Sequence, residues 1–176
     1  MEYILSWLVW LPIIGMVAIA FIPRDKEDLI KKSAAVTTGV QFFLTLILWN
    51  NFDSRDGSMQ FKEWAEWIPS FNISYYLGVD GLSLPMVILT GMLFFIGVFV
   101  SWNIKKAVKG YFALFLLLNT GVMGVFLSLD FFLFYIFWEV MLLPMYFLIG
   151  MWGGPQREYA AIKFFLYTLF GSVLML

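Results

Sequence analysis

Three features of this 176-residue sequence predict an all-α integral membrane fold with six transmembrane helices. Hydrophobic residues make up 62% of the chain and charged residues 13%, with a mean hydropathy of +0.87. A soluble domain is only about 45–50% apolar and about 25% charged, so a water-solvated surface cannot be built from this composition. Charge-poor runs of roughly 20 residues, the length that crosses about 30 Å of hydrocarbon, recur six times along the chain. Lysine and arginine are concentrated in alternate connecting segments, as the positive-inside rule requires of a multi-pass protein.

The six runs are Leu5 to Ile22, Ala34 to Asn50, Leu82 to Trp102, Tyr111 to Leu129, Phe131 to Trp152, and a segment opening near Pro155 and running to Leu176. The first is not a cleavable signal peptide, because Glu2 precedes it and the basic residues follow it. With the N-terminus outside, the inward segments hold Arg24, Lys26, Lys31, Lys32, Lys105, Lys106, Lys109 and Arg157, and the outward ones only Arg55 and Lys62. Trp7, Trp10 and Trp49 fall near the outer interface, and Trp102 and Trp152 near the inner one. Ser128-Leu129-Asp130 is so short a connection that spans four and five must be antiparallel neighbours. Asp130 suits the N-cap of span five, and Asp80 that of span three.

Residues 51–80 form the one long segment outside the spans. Phe61, Trp64, Ala65 and Ile68 have the spacing of a short interfacial helix. Ile73, Tyr75, Leu77 and Val79 alternate with period two, and Pro69-Ser70-Phe71-Asn72 is a turn signal, so a β-hairpin competes with the helix.

The chain has no cysteine and no histidine, which excludes disulfides, thiolate-held clusters, most zinc sites and histidine acid–base chemistry. A net charge of −1 and the absence of a phosphate-binding loop argue against nucleic-acid and nucleotide binding. The 11 basic and 12 acidic residues lie at interfaces or in loops, with two exceptions. Glu139, nine residues into span five, stands about 13 Å deep at about 1.5 Å per residue, too deep to snorkel. Acids at such depth cost a few kcal/mol to insert, and they face bundle interiors where they carry protons, ions or substrate. Burial favours the protonated form of a carboxyl and a nearby cation the ionised form, so a movable cation can switch a buried acid between the two. The competing role is a neutral carboxyl that only joins helices. Tyr135 and Tyr146 share the Glu139 face, as part of a hydrogen-bonding stripe or as packing. Pro144 cannot donate to the Val140 carbonyl, which either opens space for water beside Glu139 or is a packing kink.

Lys163 is the second exception, about 12 Å from the inner surface if the helix starts at Pro155. It either snorkels inward or serves the charged site. Spans five and six run in opposite directions, so the two charges differ in depth by about 5 Å across a 30 Å core, and a Glu139–Lys163 contact is an expectation to test. Thr37, Gln41 and Thr45 on span two, and Gly121, Gly124 and Ser128 on span four, are read as helix-packing positions.

The stretch from Ser128, S-L-D-F-F-L-F-Y-I-F-W-E-V-M-L-L-P-M-Y-F-L-I-G-M-W-G-G, followed by A-A-I-K-F-F-L-Y, resembles a known family. So does the L-G-V-D-G-L-S-L entry to span three. The family is that of the antiporter-like membrane subunits of proton-pumping NADH:quinone oxidoreductase (respiratory complex I), and W-E-x-M-L-x-P-M-Y-F-L-I-G points to its chain-M branch. The resemblance implies a longer fold of fourteen or so helices with inverted repeats, and proton translocation coupled to electron transfer in other subunits. It matches Glu139 and Lys163 to intramembrane charges of the family, with no catalytic or metal-binding residue in this chain. No redox cofactor is implied here; NADH, FMN, iron–sulfur clusters and quinone belong to partner subunits. The implied partners are other complex I membrane subunits, above all neighbouring antiporter-like chains, with the lipid bilayer around them, and the implied location is the bacterial inner membrane. The organisation expected is then helices one and two in 1–50, an external hairpin in 51–80, and helices three to six of a first repeat in 81–176, with the protein continuing past Leu176. A cation/proton antiporter subunit, a hydrogenase membrane arm, and a non-conducting assembly or anchor subunit are the alternatives.

Overall fold

The computed structural model describes residues 3–71 and 73–175. Glu2, Asn72 and Leu176, which enter the readings of the N-terminus, the turn and the last span, lie outside the described residues. Six helices long and apolar enough to cross a membrane are present among them: α1 (Ile4–Phe21), α2 (Glu27–Asn50), α3 (Ser83–Val100), α4 (Val108–Leu127), α5 (Phe131–Trp152) and α6 (Arg157–Met175). A single 3₁₀ turn, Ser101–Asn103, closes α3. The largest departure from the apolar runs is at α2, which begins seven residues before Ala34. Its first turn carries Glu27 and Asp28, which complement the helix dipole, so the helix extends beyond the hydrocarbon boundary.

Between α2 and α3 the chain forms an antiparallel hairpin, β1 (Gln60–Ile68) and β2 (Ile73–Val79), joined through a 3₁₀ turn at Pro69–Phe71. The helical spacing of Phe61, Trp64, Ala65 and Ile68 is therefore a coincidence within a strand. Irregularities between Gln60 and Glu63 and between Glu66 and Ile68 break the period of two in β1 and conceal it. Trp64 pairs with Tyr76 and Ala65 with Tyr75, the aromatic cross-strand pairing that favours strand over helix.

The hairpin is fastened to the helices along both of its strands. Leu77 and Val79 are fully buried in a core cluster with Leu5, Leu8, Val9, Met123 and Leu127. The Leu129 N–H donates to the Tyr76 carbonyl at 2.9 Å, beside a bridge between Leu77 and Ser128. Glu63 reaches from β1 to the start of α1, where its carboxylate accepts the N–H of Leu5 at 2.7 Å, the N–H of Ser6 at 3.0 Å and the Ser6 hydroxyl. The first turn of α1, which no side chain of its own caps, is capped from another element. Tyr75 adds hydrogen bonds with the Ser6 hydroxyl and the Trp10 indole, both at 3.0 Å; burial raises its phenol above the ordinary tyrosine value.

α4 is the central helix, packed against α5, α1, α3 and α2. Close approach to α5 requires glycine at two positions: a Cβ on Gly121 would lie 3.0 Å from the Met141 backbone, and one on Gly124 would meet the Phe137 ring. Gly15 likewise sits against Thr37, and Gly91 against Thr45, so the packing roles of Thr37, Thr45, Gly121 and Gly124 are borne out. At the end away from the hairpin, Lys109 donates to the carbonyls of Ala20 and Ile22, both at 2.8 Å, and so closes the C-terminal end of α1. Pro12, inside α1, has no N–H for the Leu8 carbonyl. Gln41 of α2 supplies one instead, its amide donating to Leu8 at 2.8 Å, so this residue does more than pack.

Candidate functional site

α5 is held at its start by Asp130. One carboxylate oxygen accepts the N–H groups of Phe132 and Leu133 at 2.9 and 3.1 Å, the N-cap arrangement expected of it. The other accepts the Ser74 N–H at 3.2 Å, which ties β2 to the helix that bears Glu139. Burial alone would raise the Asp130 carboxyl, but the N–H groups of Leu133, Ser74 and Phe132 outweigh it and hold the group below its ordinary value. Asp80 is held low in the same way at the entry to α3, chiefly by the Ser83 N–H at 2.7 Å.

From that anchor, Glu139 lies eight residues along α5, about 12 Å from its start. It is half-buried and accepts a hydrogen bond from the Ser172 hydroxyl at 2.6 Å. Ser172, on α6, is 4% exposed, and its hydroxyl also lies 3.0 Å from the Leu169 carbonyl. α5 and α6 meet along one stripe: Gly150 faces Ala161, Tyr146 packs edge to face on Phe165 with ring centres 5.5 Å apart, and Glu139 meets Ser172. On α6 these contacts fall at positions 161, 165 and 172, which share a face at about 100° per residue. Tyr146 thus stands in the same helix–helix seam as Glu139. Tyr135 is half-buried one turn before the acid, and Pro144 is buried.

The expected contact between Glu139 and Lys163 does not form. Nine residues separate Lys163 from Ser172, about 180° round the helix, so when Ser172 faces α5 the lysine faces away. Lys163 is exposed, and its ammonium lies 5.7 and 5.9 Å from the ring centres of Tyr159 and Tyr167 on its own helix. Tyrosines four residues before and after it provide the cation–π geometry. Depth alone allows the contact; the rotation of α6 about its axis removes it. Ser172 is the site residue that sequence reasoning missed. Its signal was available, since it lies eleven residues after Ala161 and so on the same face, but serine is too common in membrane helices to stand out without its partner.

Residues 128–176 match the family described as "NADH:quinone oxidoreductase/Mrp antiporter, TM". The chain is 42% identical over 174 residues to the NADH-ubiquinone oxidoreductase chain 4 of Arabidopsis thaliana, covering 98% of this chain and 35% of that protein. It is also 42% identical over 180 aligned positions to the NADH-quinone oxidoreductase subunit M of Rhodobacter capsulatus, covering 100% of this chain and 35% of the relative. Among solved structures, the respiratory complex I of Thermus thermophilus with bound NADH contains a chain that superposes with a TM-score of 0.81 at 25% identity, over 96% of this chain and 33% of that one. A membrane-bound sulfane sulfur reductase, an archaeal respiratory membrane complex, matches with a TM-score of 0.80 at 19% identity, a likeness of fold. The chain spans about a third of the length of the curated relatives it matches.

Proposed function

We propose that the chain belongs to the NADH:quinone oxidoreductase/Mrp antiporter family of membrane subunits and works within a proton-translocating subunit of complex I's membrane arm, a reading supported by the family match over residues 128–176 and by relatives 42% identical over nearly the whole chain. Glu139 is the proton-binding group. The observation that carries this reading is its place: a carboxyl about 12 Å along a membrane helix, in the seam between α5 and α6, with a buried hydroxyl as hydrogen-bond partner. The relatives' names favour this reading over an antiporter subunit or a hydrogenase arm.

Electron transfer belongs to partner subunits in this reading, because a chain without cysteine or histidine lacks the usual ligands for clusters and haem. NADH, FMN, iron–sulfur clusters and quinone are assigned to those partners, and neighbouring antiporter-like chains are the nearest contacts. The hairpin suits such a contact, since Trp64 and Trp67 of β1 are 64% and 50% exposed. Lys163 extends the line of intramembrane charge toward whatever lies beyond the exposed face of α6. The distribution of basic residues supports an N-terminus outside, and the bacterial inner membrane is the location that goes with this reading.

NADH-driven proton pumping by the assembled complex carrying Glu139→Gln or Glu139→Asp tests the reading. Loss of pumping in the Gln variant, with activity retained in the Asp variant, is expected. Wild-type pumping in the Gln variant would overturn it and leave Glu139 as helix-joining glue.

A further inference from the structure

Two buried polar atoms of α4, Asn119 Oδ1 and Thr120 Oγ1, have no hydrogen-bond partner among the described residues. They stand at the end of a chain of buried polar groups that starts at the proline of α1. Gln41 spends its amide N–H on the Leu8 carbonyl that Pro12 leaves free, and its own carbonyl accepts the side-chain N–H of Asn119. Asn119 is fully buried and Thr120 is 1% exposed. The amide N–H of Asn119 is thereby fixed toward α2, which leaves its carbonyl oxygen as a free acceptor.

Thr120 is unlike the other helical threonines. Thr37, Thr38, Thr45, Thr90 and Thr168 each donate their hydroxyl to a carbonyl three or four residues earlier in their own helix. Thr120 has the same option at Leu116 and does not take it. A hydroxyl turned from the nearest acceptor, one residue along the helix from a free amide carbonyl in a membrane core, is the chemistry of a bound-water site, because an interior water makes two to four hydrogen bonds to such groups.

We propose that Asn119 and Thr120 hold ordered water inside the α1–α2–α4 core, with Gln41 orienting the Asn119 amide toward it. Water donates to Asn119 Oδ1 and exchanges a hydrogen bond with the Thr120 hydroxyl. Phe137 and Met141, the α5 residues that meet α4, each lie about 200° round α5 from Glu139, which faces α6, so this station is separate from Glu139. Counted from the hairpin ends of α4 and α5, both lie about 12 Å deep. The bundle then carries two polar stations at comparable depth, one titratable and one hydrated.

High-resolution density for the intact membrane complex tests this in the wild type, Thr120→Val and Thr120→Ser, together with the thermal midpoint of each. The wild type and the Ser variant are expected to show water within hydrogen-bond distance of Asn119 Oδ1 and the residue-120 hydroxyl. The Val variant, equal in shape, is expected to lose it and to melt at a lower temperature. Wild-type density without that water, at a resolution that shows other interior waters, would overturn the proposal. So would a Val variant that melts higher, since removing a hydroxyl from a dry site relieves it. Glu139→Gln is expected to leave the water in place, which separates this test from that of the pumping role.

Discussion

Glu139 and Ser172 lie 33 positions apart in the sequence, and their hydrogen bond joins two side chains across the α5–α6 seam. A hydroxyl bond to a carboxylate contributes about 1.5–3 kcal/mol, so Ser172→Ala is expected to lower proton-pumping rates by roughly tenfold with the complex still assembled. Lys163→Ala, on the opposite face, is expected to do less, and equal losses in paired pumping assays would contradict this ordering. Asp130 gives a pH prediction. The folded state holds its carboxyl ionised to lower pH than the unfolded chain does, so its contribution is in place above about pH 4 and is lost as the pH falls further. Asp130→Asn, a cap of equal rank, is expected to remove that acid sensitivity, and Asp130→Ala to cost about 0.5–2 kcal/mol, both read from the thermal midpoint against pH. The acid of the site was legible from a single sequence because one carboxyl in 22 apolar-rich residues has no ordinary explanation. Its partner was not, because facing between two helices depends on their packing rotation, and depth alone leaves that angle free.

At the scale of elements, helices and their order were legible to within three residues except at the start of α2, since a bilayer admits few alternatives for an apolar run of twenty. The hairpin was harder: β1 carries two irregularities that imitate a helical period, and only its pairing with Ile73–Val79 resolves it. The attachment of the hairpin to α1 had no sequence signal, because Glu63 caps the N–H of a residue 58 positions earlier. Glu63→Ala is expected to leave the Leu5 and Ser6 N–H groups unfilled and to cost about 1–3 kcal/mol locally. Faster hydrogen exchange over the first turn of α1, with the core of α4 unchanged, is the expected reading. Gly121→Ala forces a Cβ against the Met141 backbone, which cannot rotate aside as a side chain can. Overpacking of this kind costs about 1–3 kcal/mol, and a lower melting temperature of the purified complex would report it.

As a whole, the molecule has one end fastened by the hairpin through Glu63, Leu129 and Asp130, and an opposite end closed by basic residues such as Lys109. The chain has no native cysteine, so single-cysteine variants read its sidedness directly. Ser58→Cys is expected to react with an impermeant maleimide from outside intact cells, and Lys105→Cys only after permeabilisation; the reverse would invert the topology. α6 is the least covered of the six membrane-length helices, and its outward face carries Lys163 between two tyrosines. Everything in the proposed function depends on one event, a proton bound and released by Glu139 during turnover. Infrared difference spectroscopy of the working complex observes it directly through the carboxyl C=O stretch. The expected result is a band that is absent in Glu139→Gln and shifted in Glu139→Asp; an identical difference spectrum in the wild type and the Gln variant would contradict the role.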